Sequence, residues 1–240
     1  MTPKTGTLYG IGVGPGDPEL ITLKALRVLR RVPQIFASCS TKNSYSLALN
    51  IIRPHLNGAG IEALPFPMTR DPEVLQAAWE KNARRVLEVL DGGEDAAFIT
   101  LGDPLTYSTF GYLLKTMKRL YPEVPVVTIP GITSYSAAAA RTQIPLMEGE
   151  ESFYLVSGAL GPAKLREIIA KADNIVMLKT YRYFREIYRA LEELELLDRT
   201  TLISRCGLEG ETVVQDLRSL NGNPLPYLSM LIIKKKGRGY

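Results

Sequence analysis

The chain has 240 residues, of which 45% are hydrophobic, and a formal net charge of +4. This composition is typical of a globular protein with one large or two small domains. No apolar run approaches the ~18 residues of a membrane span, and the first residues, MTPKTGTLYG, lack the apolar segment of a signal peptide. We therefore expect a soluble, cytoplasmic protein without a membrane partner.

Metal-ligating residues are too few and too scattered for a structural metal site. The two cysteines, Cys39 and Cys206, lie far apart, and His55 is the single histidine. These spacings match no zinc motif, so we predict no metal site. We expect His55 to have an ordinary packing or surface role.

The first predicted unit, residues 7–25, is a strand, a glycine-rich loop and a helix beginning at Asp17-Pro18. Its leucines at 20, 23, 26 and 29 have helical spacing. Asp17 follows Gly16 where a P-loop needs lysine, and it also stands where the third glycine of a dinucleotide fingerprint would fall. The loop is therefore either a small-ligand site of another kind or a structural turn.

The residues up to 146 alternate strand and helix, which favours a mainly parallel sheet covered on both faces. Predicted strands cover 34–37, 61–65, 96–101 and 124–129, and predicted helices cover 44–52, 71–91 and 110–120. We expect Asp71 to cap the long helix and Pro72 to occupy its first position.

Two further loops resemble the first in position, at the carboxyl ends of predicted strands. They contain Gly, Asp, Ser and Thr and cover residues 102–109 and 130–134. Because the carboxyl ends of parallel strands lie at one edge of the sheet, we expect the three loops to converge on one pocket. The alanines at 137–140 are compatible either with simple packing or with the close approach of a flat ligand.

A polar segment at 147–151 is the best candidate linker, which predicts domains of residues 1–146 and 147–240. Beyond it we predict a strand, a helix, a strand and a helix. The remaining strands, 200–205, 212–216 and 227–234, have no intervening helices, so the second sheet should be mixed or largely antiparallel. The fold class is thus two α/β domains.

Three ordered motifs resemble the tetrapyrrole (class III) S-adenosylmethionine-dependent methyltransferases. They are VGPGDPELITLKA at 13–25, LGDPLTYST at 101–109 and PGITSYSAAAA at 130–140, supported by the strands at Met177 and Tyr227-Leu228. Within the family they are most similar to the branch that methylates precorrin-2 or cobalt-factor II at C-20 in cobalamin synthesis. The resemblance implies a homodimer and an active-site cleft between the two domains, with S-adenosylmethionine bound there.

The resemblance also implies a donor site, residue by residue. Structural explanations remain open for several members: an Asx-turn for Asp103, turn shaping for Pro15, core packing for Met177 and helix capping for the hydroxyl residues. The implied donor-binding residues are Pro15, Leu101, Gly102, Asp103, Thr106, Thr133, Ser134, Met177, Cys206, Gly207, Leu208, Tyr227 and Leu228.

A tetrapyrrole of this family carries carboxylate arms, so the implied substrate site needs cations and hydroxyls. The candidates are Lys42, Arg70, Lys179 and Arg182, with Tyr107 near the transferred methyl group. Each cation could equally be a solvated surface charge. Some relatives have an aspartate after the second strand that resembles a proton acceptor, but here the stretch reads FASCS, which favours catalysis by positioning.

Other functions compete with this interpretation. The enzyme could methylate another tetrapyrrole position or, like relatives in the same family, a diphthamide precursor or ribosomal RNA. The basic tail, Lys234 to Lys236 with Arg238, could belong to a non-catalytic nucleic-acid-binding module. Because this tail lacks interleaved aromatic residues, we expect it to be a solvated terminus and expect no nucleic-acid partner.

Overall fold

The computed structural model describes residues 5–40, 46–56, 58–220 and 222–236. Its strands are β1 (Leu8–Gly12), β2 (Gln34–Ser40), β3 (Gly60–Phe66), β4 (Ala96–Thr100), β5 (Val126–Ile129), β6 (Phe153–Ser157), β7 (Asn174–Leu178), β8 (Thr200–Ser204), β9 (Thr212–Val214) and β10 (Ser229–Lys234). Its α-helices are α1 (Leu23–Leu29), α2 (Leu47–Ile52), α3 (Pro72–Asp91), α4 (Phe110–Leu120), α5 (Ser134–Thr142), α6 (Gly161–Ile169) and α7 (Phe184–Glu193). No helix in these ranges is long and apolar enough to cross a membrane.

The first sheet is parallel throughout, as predicted. Its strand order is β3-β2-β4-β1-β5. Successive residues of β4 belong to different clusters: Ala97 and Ile99 pack in one core cluster, and Ala96 and Phe98 in another. This alternation explains why the strand is apolar along its whole length, because both faces of the sheet are covered.

The predicted start of the long helix α3 is confirmed. The Asp71 carboxylate accepts hydrogen bonds from the backbone N–H groups of Glu73 and Val74, at 3.0 and 3.3 Å, and Pro72 is the first helical residue. The helix buries Ala83, Val86 and Leu90. Its other face is polar, so helical spacing determines which side packs on the sheet.

The predicted start of the first helix is wrong. Asp17 caps only a short 3-10 turn, Pro18–Leu20, and α1 begins at Leu23 with the Thr22 hydroxyl accepting from the Ala25 N–H. The helix buries Ala25, Val28 and Leu29, whereas Leu23 is 76% exposed. The leucine spacing therefore identifies the buried face only at Leu29, since Leu20 lies in the 3-10 turn outside the helix and Leu23 is exposed at its first position.

The second sheet is mixed, as predicted, with strand order β6-β7-β10-β8-β9. The β6–β7 pair is parallel, and the other neighbouring pairs are antiparallel. On β7, Ile175 and Met177 face a cluster that includes Leu165 and Ile187 from α6 and α7. The opposite face of the strand packs in a cluster that includes Ala138 from α5.

The chain divides into a first unit of residues 1–133 and a second unit of residues 134–240. The observed division precedes the predicted one, after residue 146, because α5 and the segment after it pack on the second sheet. Ala138 and Ile144 are buried there with Val176 and Ile203. The polar segment at 147–151 thus lies within the second unit.

Candidate functional site

Glycines from different loops of the first unit meet beyond the carboxyl ends of β1, β4 and β5. A Cβ atom on Gly131 would lie 2.2 Å from the Gly102 carbonyl oxygen, and one on Gly12 would lie 2.7 Å from the Gly131 Cα atom. Gly14 and Gly102 also exchange backbone hydrogen bonds of 2.7 and 3.3 Å. The structure thereby confirms the convergence of the loops, and it explains their glycines by close backbone approach.

The Asp103 carboxylate connects two of these loops. Its Oδ1 accepts from the Leu105 N–H at 2.9 Å and from the Thr106 hydroxyl at 3.3 Å. Its Oδ2 accepts from the Gly131 N–H at 3.2 Å. The first contact is the Asx-turn of the structural interpretation, but the last joins a loop 28 residues away in sequence. Asp103 therefore joins the second and third of the three loops.

Gly102 is buried, but a side chain at this position would be less crowded than at the other glycines of the rim. Its φ is +68°, and the nearest atom to a Cβ built on it is the Ile132 carbonyl oxygen at 3.9 Å, an ordinary van der Waals distance. Gly12 and Gly131 are instead packed closely against backbone. Leu101, which precedes Gly102, is partly buried, and Pro15 is buried in the opening loop. The rim thus combines closely packed glycines with one less crowded position at Gly102.

The loop after Asp103 contains a polar pair that the sequence reasoning missed. The hydroxyls of Thr100 and Ser108 lie 3.0 Å apart, and Ser108 Oγ accepts from the Phe110 N–H at the start of α4. A serine two residues before a helix is a capping signal that could have identified it. Tyr107, between Thr106 and Ser108, has φ 49° and is 52% exposed.

Thr133 and Ser134 mark the junction of the two units. Thr133 is the last residue of the first unit and Ser134 is the first residue of α5. Both are partly buried. In the neighbouring alanine run, Ala138 is fully buried in the core, so packing explains that position.

The predicted residues of the second unit, apart from Ser134 and Met177, lie at one edge of its sheet. Because β10 is antiparallel to β7 and β8, its start lies beside their carboxyl ends, with Leu178 opposite Met230 and Ser204 opposite Ser229. The segments at these strand ends are residues 179–182 after β7, 205–208 after β8 and 227–228 before β10. Lys179, Arg205 and Leu228 have φ values of 58°, 55° and 67°. Such left-handed conformations in non-glycine residues cluster at functional sites in proteins.

The turn from Cys206 to Leu208 is held by an acidic residue that the sequence reasoning missed. Glu211 accepts from the Gly207 N–H at 2.8 Å and from Arg141 Nε at 2.6 Å. The Leu208 N–H donates to the Arg205 carbonyl at 2.8 Å. Burial, assisted by the nearby Glu211 charge, raises the pKa of the Cys206 thiol to about 11. Cys206 is therefore a neutral thiol near neutral pH and is unsuited to act as a nucleophile.

Met177 lies in the core. Its side chain is fully buried in the cluster that contains Leu165, Phe184 and Ile187. Its strand position pairs with Val156 on one side and Leu231 on the other. The packing of the sheet accounts for this methionine without a ligand.

The predicted substrate-binding cations have different surroundings. Lys42 lies outside the described residues, and Arg70 is exposed in the loop before α3. Lys179 and Arg182 are exposed on the segment after β7. Arg182 Nε donates to the Tyr181 hydroxyl at 3.1 Å. Among the described residues, neither Arg70 nor Arg182 forms an ion pair.

The expectation of a solvated basic tail is wrong for Lys234. Its side chain is 3% exposed and its ammonium group lies 3.2 Å from Glu151. Lys236 pairs with Asp173 at 3.0 Å, and Lys235 donates to the Ile169 carbonyl at 2.9 Å. Lys234 is the last residue of β10, and the pairing of this strand with β7 places it within the sheet. Arg238 lies outside the described residues.

His55 packs against the opening unit, and its Nε2 lies 3.3 Å from the Pro18 carbonyl oxygen. This contact is consistent with the packing role expected for it. In the described part of the chain, no group of three or more His, Cys, Asp or Glu residues could hold a metal ion.

Comparison with known proteins agrees with this architecture. The model of the family "Tetrapyrrole (Corrin/Porphyrin) Methylases" matches residues 7–220. The chain belongs to this family. Among the tetrapyrrole methylases, it is 39% identical to the probable cobalt-precorrin-2 C(20)-methyltransferase of Methanocaldococcus jannaschii, over 95% of this chain and 96% of that protein. It is 33% identical to the cobalt-precorrin-2 C(20)-methyltransferase of Salmonella typhimurium, over 96% of this chain and 97% of that protein.

Two solved structures share the fold. The uroporphyrin-III C-methyl transferase of Thermus thermophilus, complexed with S-adenosylhomocysteine, matches with a TM-score of 0.68 and 23% identity, over 96% of this chain and 98% of that chain. The cobalamin synthesis related protein (CobF) of Corynebacterium diphtheriae matches with a TM-score of 0.74 and 22% identity, over 96% of this chain and 99% of that chain. The family model and the two curated relatives confirm the family resemblance carried by the three sequence motifs.

Proposed function

We propose that this tetrapyrrole methylase transfers a methyl group from S-adenosylmethionine to C-20 of precorrin-2 or its cobalt-containing counterpart, in cobalamin synthesis. The choice of substrate is supported by the two relatives named for this reaction, which match nearly the whole chain at 33% and 39% identity. The proposal extends to a homodimer, an assembly that the family resemblance suggests.

The observation that supports donor binding is that a Cβ atom on Gly102 would meet a single atom within 4 Å, whereas Gly12 and Gly131 are closely packed against backbone. A ligand that lies against this backbone could reach carbonyl and amide groups that a side chain would cover. The adenosine and amino-acid parts of S-adenosylmethionine present donors and acceptors suited to such contacts. We assign the donor to Pro15, Leu101, Gly102, Asp103, Thr106, Thr133, Ser134, the 206–208 turn, Tyr227 and Leu228. Met177 contributes to the fold of the second unit.

The donor supplies an electrophilic methyl group on a sulfonium. The protein's part is to hold a nucleophilic carbon of the macrocycle in line with that methyl group and to exclude water. Asp103 holds together two of the loops assigned to this geometry, and we assign Tyr107 to the border of the reacting atoms. Because the Cys206 thiol stays protonated, no covalent protein intermediate is assigned to it. The sequence after β2 offers no carboxylate, which favours catalysis by positioning over acid–base chemistry.

The direct test incubates the protein with methyl-labelled donor and, in parallel, precorrin-2, cobalt-factor II, ribosomes or elongation factor 2 that carries the diphthamide precursor. We expect label only in a tetrapyrrole, at C-20. Label in a macromolecule, or at another ring position, would support the corresponding alternative within the family. Calorimetry with S-adenosylhomocysteine tests the donor site separately, and absence of binding would refute it.

A further inference from the structure

The segment after β7 places an arginine against an aromatic pair. Arg182 Nε donates to the Tyr181 hydroxyl at 3.1 Å, and the guanidinium carbon lies 5.8 Å from the centre of the Tyr181 ring. Tyr181 in turn meets Tyr227 edge to face, with ring centres 5.3 Å apart at 77°. The sequence analysis predicts separate roles for Arg182, in substrate binding, and for Tyr227, in donor binding. It predicts no role for Tyr181.

This arrangement is anchored to the sheet. Thr180, next to Tyr181, is fully buried, and its hydroxyl donates to the Ser229 carbonyl at 3.2 Å. Ser229 begins β10, two residues after Tyr227. The two tyrosines are therefore carried by neighbouring strand ends that are bonded to each other, so the Tyr181 ring has a defined position.

The contact with Tyr181 occupies the Nε side of the guanidinium and leaves its two terminal amino groups to face other partners. Tyr181 presents a hydroxyl group and not a carboxylate, so it orients the arginine without forming an ion pair with it. No acidic side chain in the described residues forms an ion pair with Arg182. A guanidinium held in this way is suited to bind a planar carboxylate through two parallel hydrogen bonds.

We propose that Arg182 binds one carboxylate arm of the tetrapyrrole through its terminal amino groups, and that Tyr181 is a positioning residue that acts through Arg182. This inference rests on the proposed function for the nature of the substrate. It adds to that function a defined carboxylate site and a role for Tyr181.

The test compares Arg182→Lys, Tyr181→Phe and the double variant with the wild type. Arg189→Lys is the matched control, since Arg189 is exposed on α7 in the same unit. We expect Arg182→Lys to raise the KM for tetrapyrrole about tenfold, the order of one charge-assisted hydrogen bond. We expect Tyr181→Phe to raise it about threefold. The kcat and the affinity for S-adenosylhomocysteine should stay unchanged, and Arg189→Lys should behave as the wild type.

The double variant distinguishes positioning from direct contact. If Tyr181 acts through Arg182, Tyr181→Phe adds no further loss in the Arg182→Lys background. If Tyr181→Phe raises the KM for tetrapyrrole equally in the wild-type and Arg182→Lys backgrounds, the positioning role is overturned. Equal KM values for Arg182→Lys and the wild type would overturn the carboxylate site.

Binding of uroporphyrin, a stable carboxylate-rich porphyrin, separates failure of this inference from failure of the proposed function. Fluorescence titration gives its affinity without any methyl transfer. If the wild type methylates no tetrapyrrole but Arg182→Lys weakens uroporphyrin binding about tenfold, the proposed function fails and the carboxylate site stands. If the wild type methylates precorrin-2 and the variant binds uroporphyrin equally well, only the carboxylate site fails.

Discussion

Asp103 shows how a single side chain can be explained both by structure and by function. Its carboxylate accepts hydrogen bonds from its own loop and from the loop that contains Gly131. The sequence allowed the Asx-turn, because Asp-Pro-Leu is a turn pattern. The bond to Gly131 depends on how β4 and β5 are placed in the sheet, so only the tertiary structure reveals it.

Gly102→Ala tests the less crowded position of the rim. At φ +68° an alanine is strained, and we expect a loss of about 1–2 kcal/mol in the free energy of unfolding. We also expect at least an approximately tenfold loss of S-adenosylhomocysteine affinity by calorimetry, because the new methyl group intrudes on the space assigned to the donor. Gly149→Ala is the control, with φ +55° and no atom within 4 Å of the added Cβ. Equal donor affinity in the two variants would remove Gly102 from the site.

Cys206 gives a pH-dependent prediction. Its pKa in the folded protein is about 11, above the ordinary value of 9.0, so the folded state retains the thiol proton more tightly than the unfolded state. The stability that this provides is complete below pH 9 and is lost as the pH rises towards 11. Denaturant midpoints measured between pH 8 and pH 10.5 should therefore fall more steeply for the wild type than for Cys206→Ala. Parallel curves would contradict the raised pKa.

At the scale of elements, an Asp-Pro pair predicts the start of an α-helix correctly where the helix follows the pair directly. The same prediction is wrong where a 3-10 turn intervenes. Asp71-Pro72 leads straight into α3, whereas Asp17-Pro18 leads into a turn that ends at Leu20. Both pairs have the same local chemistry. The difference lies in the packing of the opening loop, where the Gly14 backbone lies against Leu20, with the Leu20 carbonyl oxygen 3.1 Å from a Cβ built on Gly14.

The α3 cap can be tested with two aspartates on the same helix. Asp71→Ala removes the acceptor for the Glu73 and Val74 N–H groups, and we expect it to cost about 1 kcal/mol of unfolding free energy. Asp91→Ala removes a carboxylate from the last residue of α3, where it opposes the helix dipole, and should be neutral or stabilising by about 0.3 kcal/mol. Urea denaturation measures both, and a destabilised Asp91→Ala would contradict this account.

At the scale of the whole molecule, the lysines of the basic tail that the structure describes have partners within the protein. Lys234 and Lys236 are paired with acidic side chains, and Lys235 is bonded to a backbone carbonyl. We expect Lys236→Gln to leave retention on an RNA column unchanged, whereas loss of a salt-dependent retention would support the nucleic-acid alternative.

Donor binding should stabilise the folded chain. If S-adenosylhomocysteine binds only the native state, a concentration of 100 times Kd adds about 2.7 kcal/mol and raises the Tm. Differential scanning fluorimetry measures this, with adenosine as the control ligand that lacks the amino-acid part. An unchanged Tm at saturating ligand would exclude the assigned donor site.

The sequence by itself determined the order of strands and helices, the parallel and mixed character of the two sheets and the family, because these depend on periodicity and on contiguous motifs. It also identified most of the residues at the two sheet edges. Tertiary structure alone decided that α5 belongs to the second unit, that Met177 and Lys234 are buried, and that Glu211 and Tyr181 hold predicted site residues. The placement of α5 and the burial of Met177 and Lys234 depend on which distant segments meet at the sheet, and local sequence does not encode such contacts. The contacts of Tyr181 with Arg182 and of Glu211 with Gly207 are local, but they depend on the backbone conformation of their turns, which the sequence pattern leaves open.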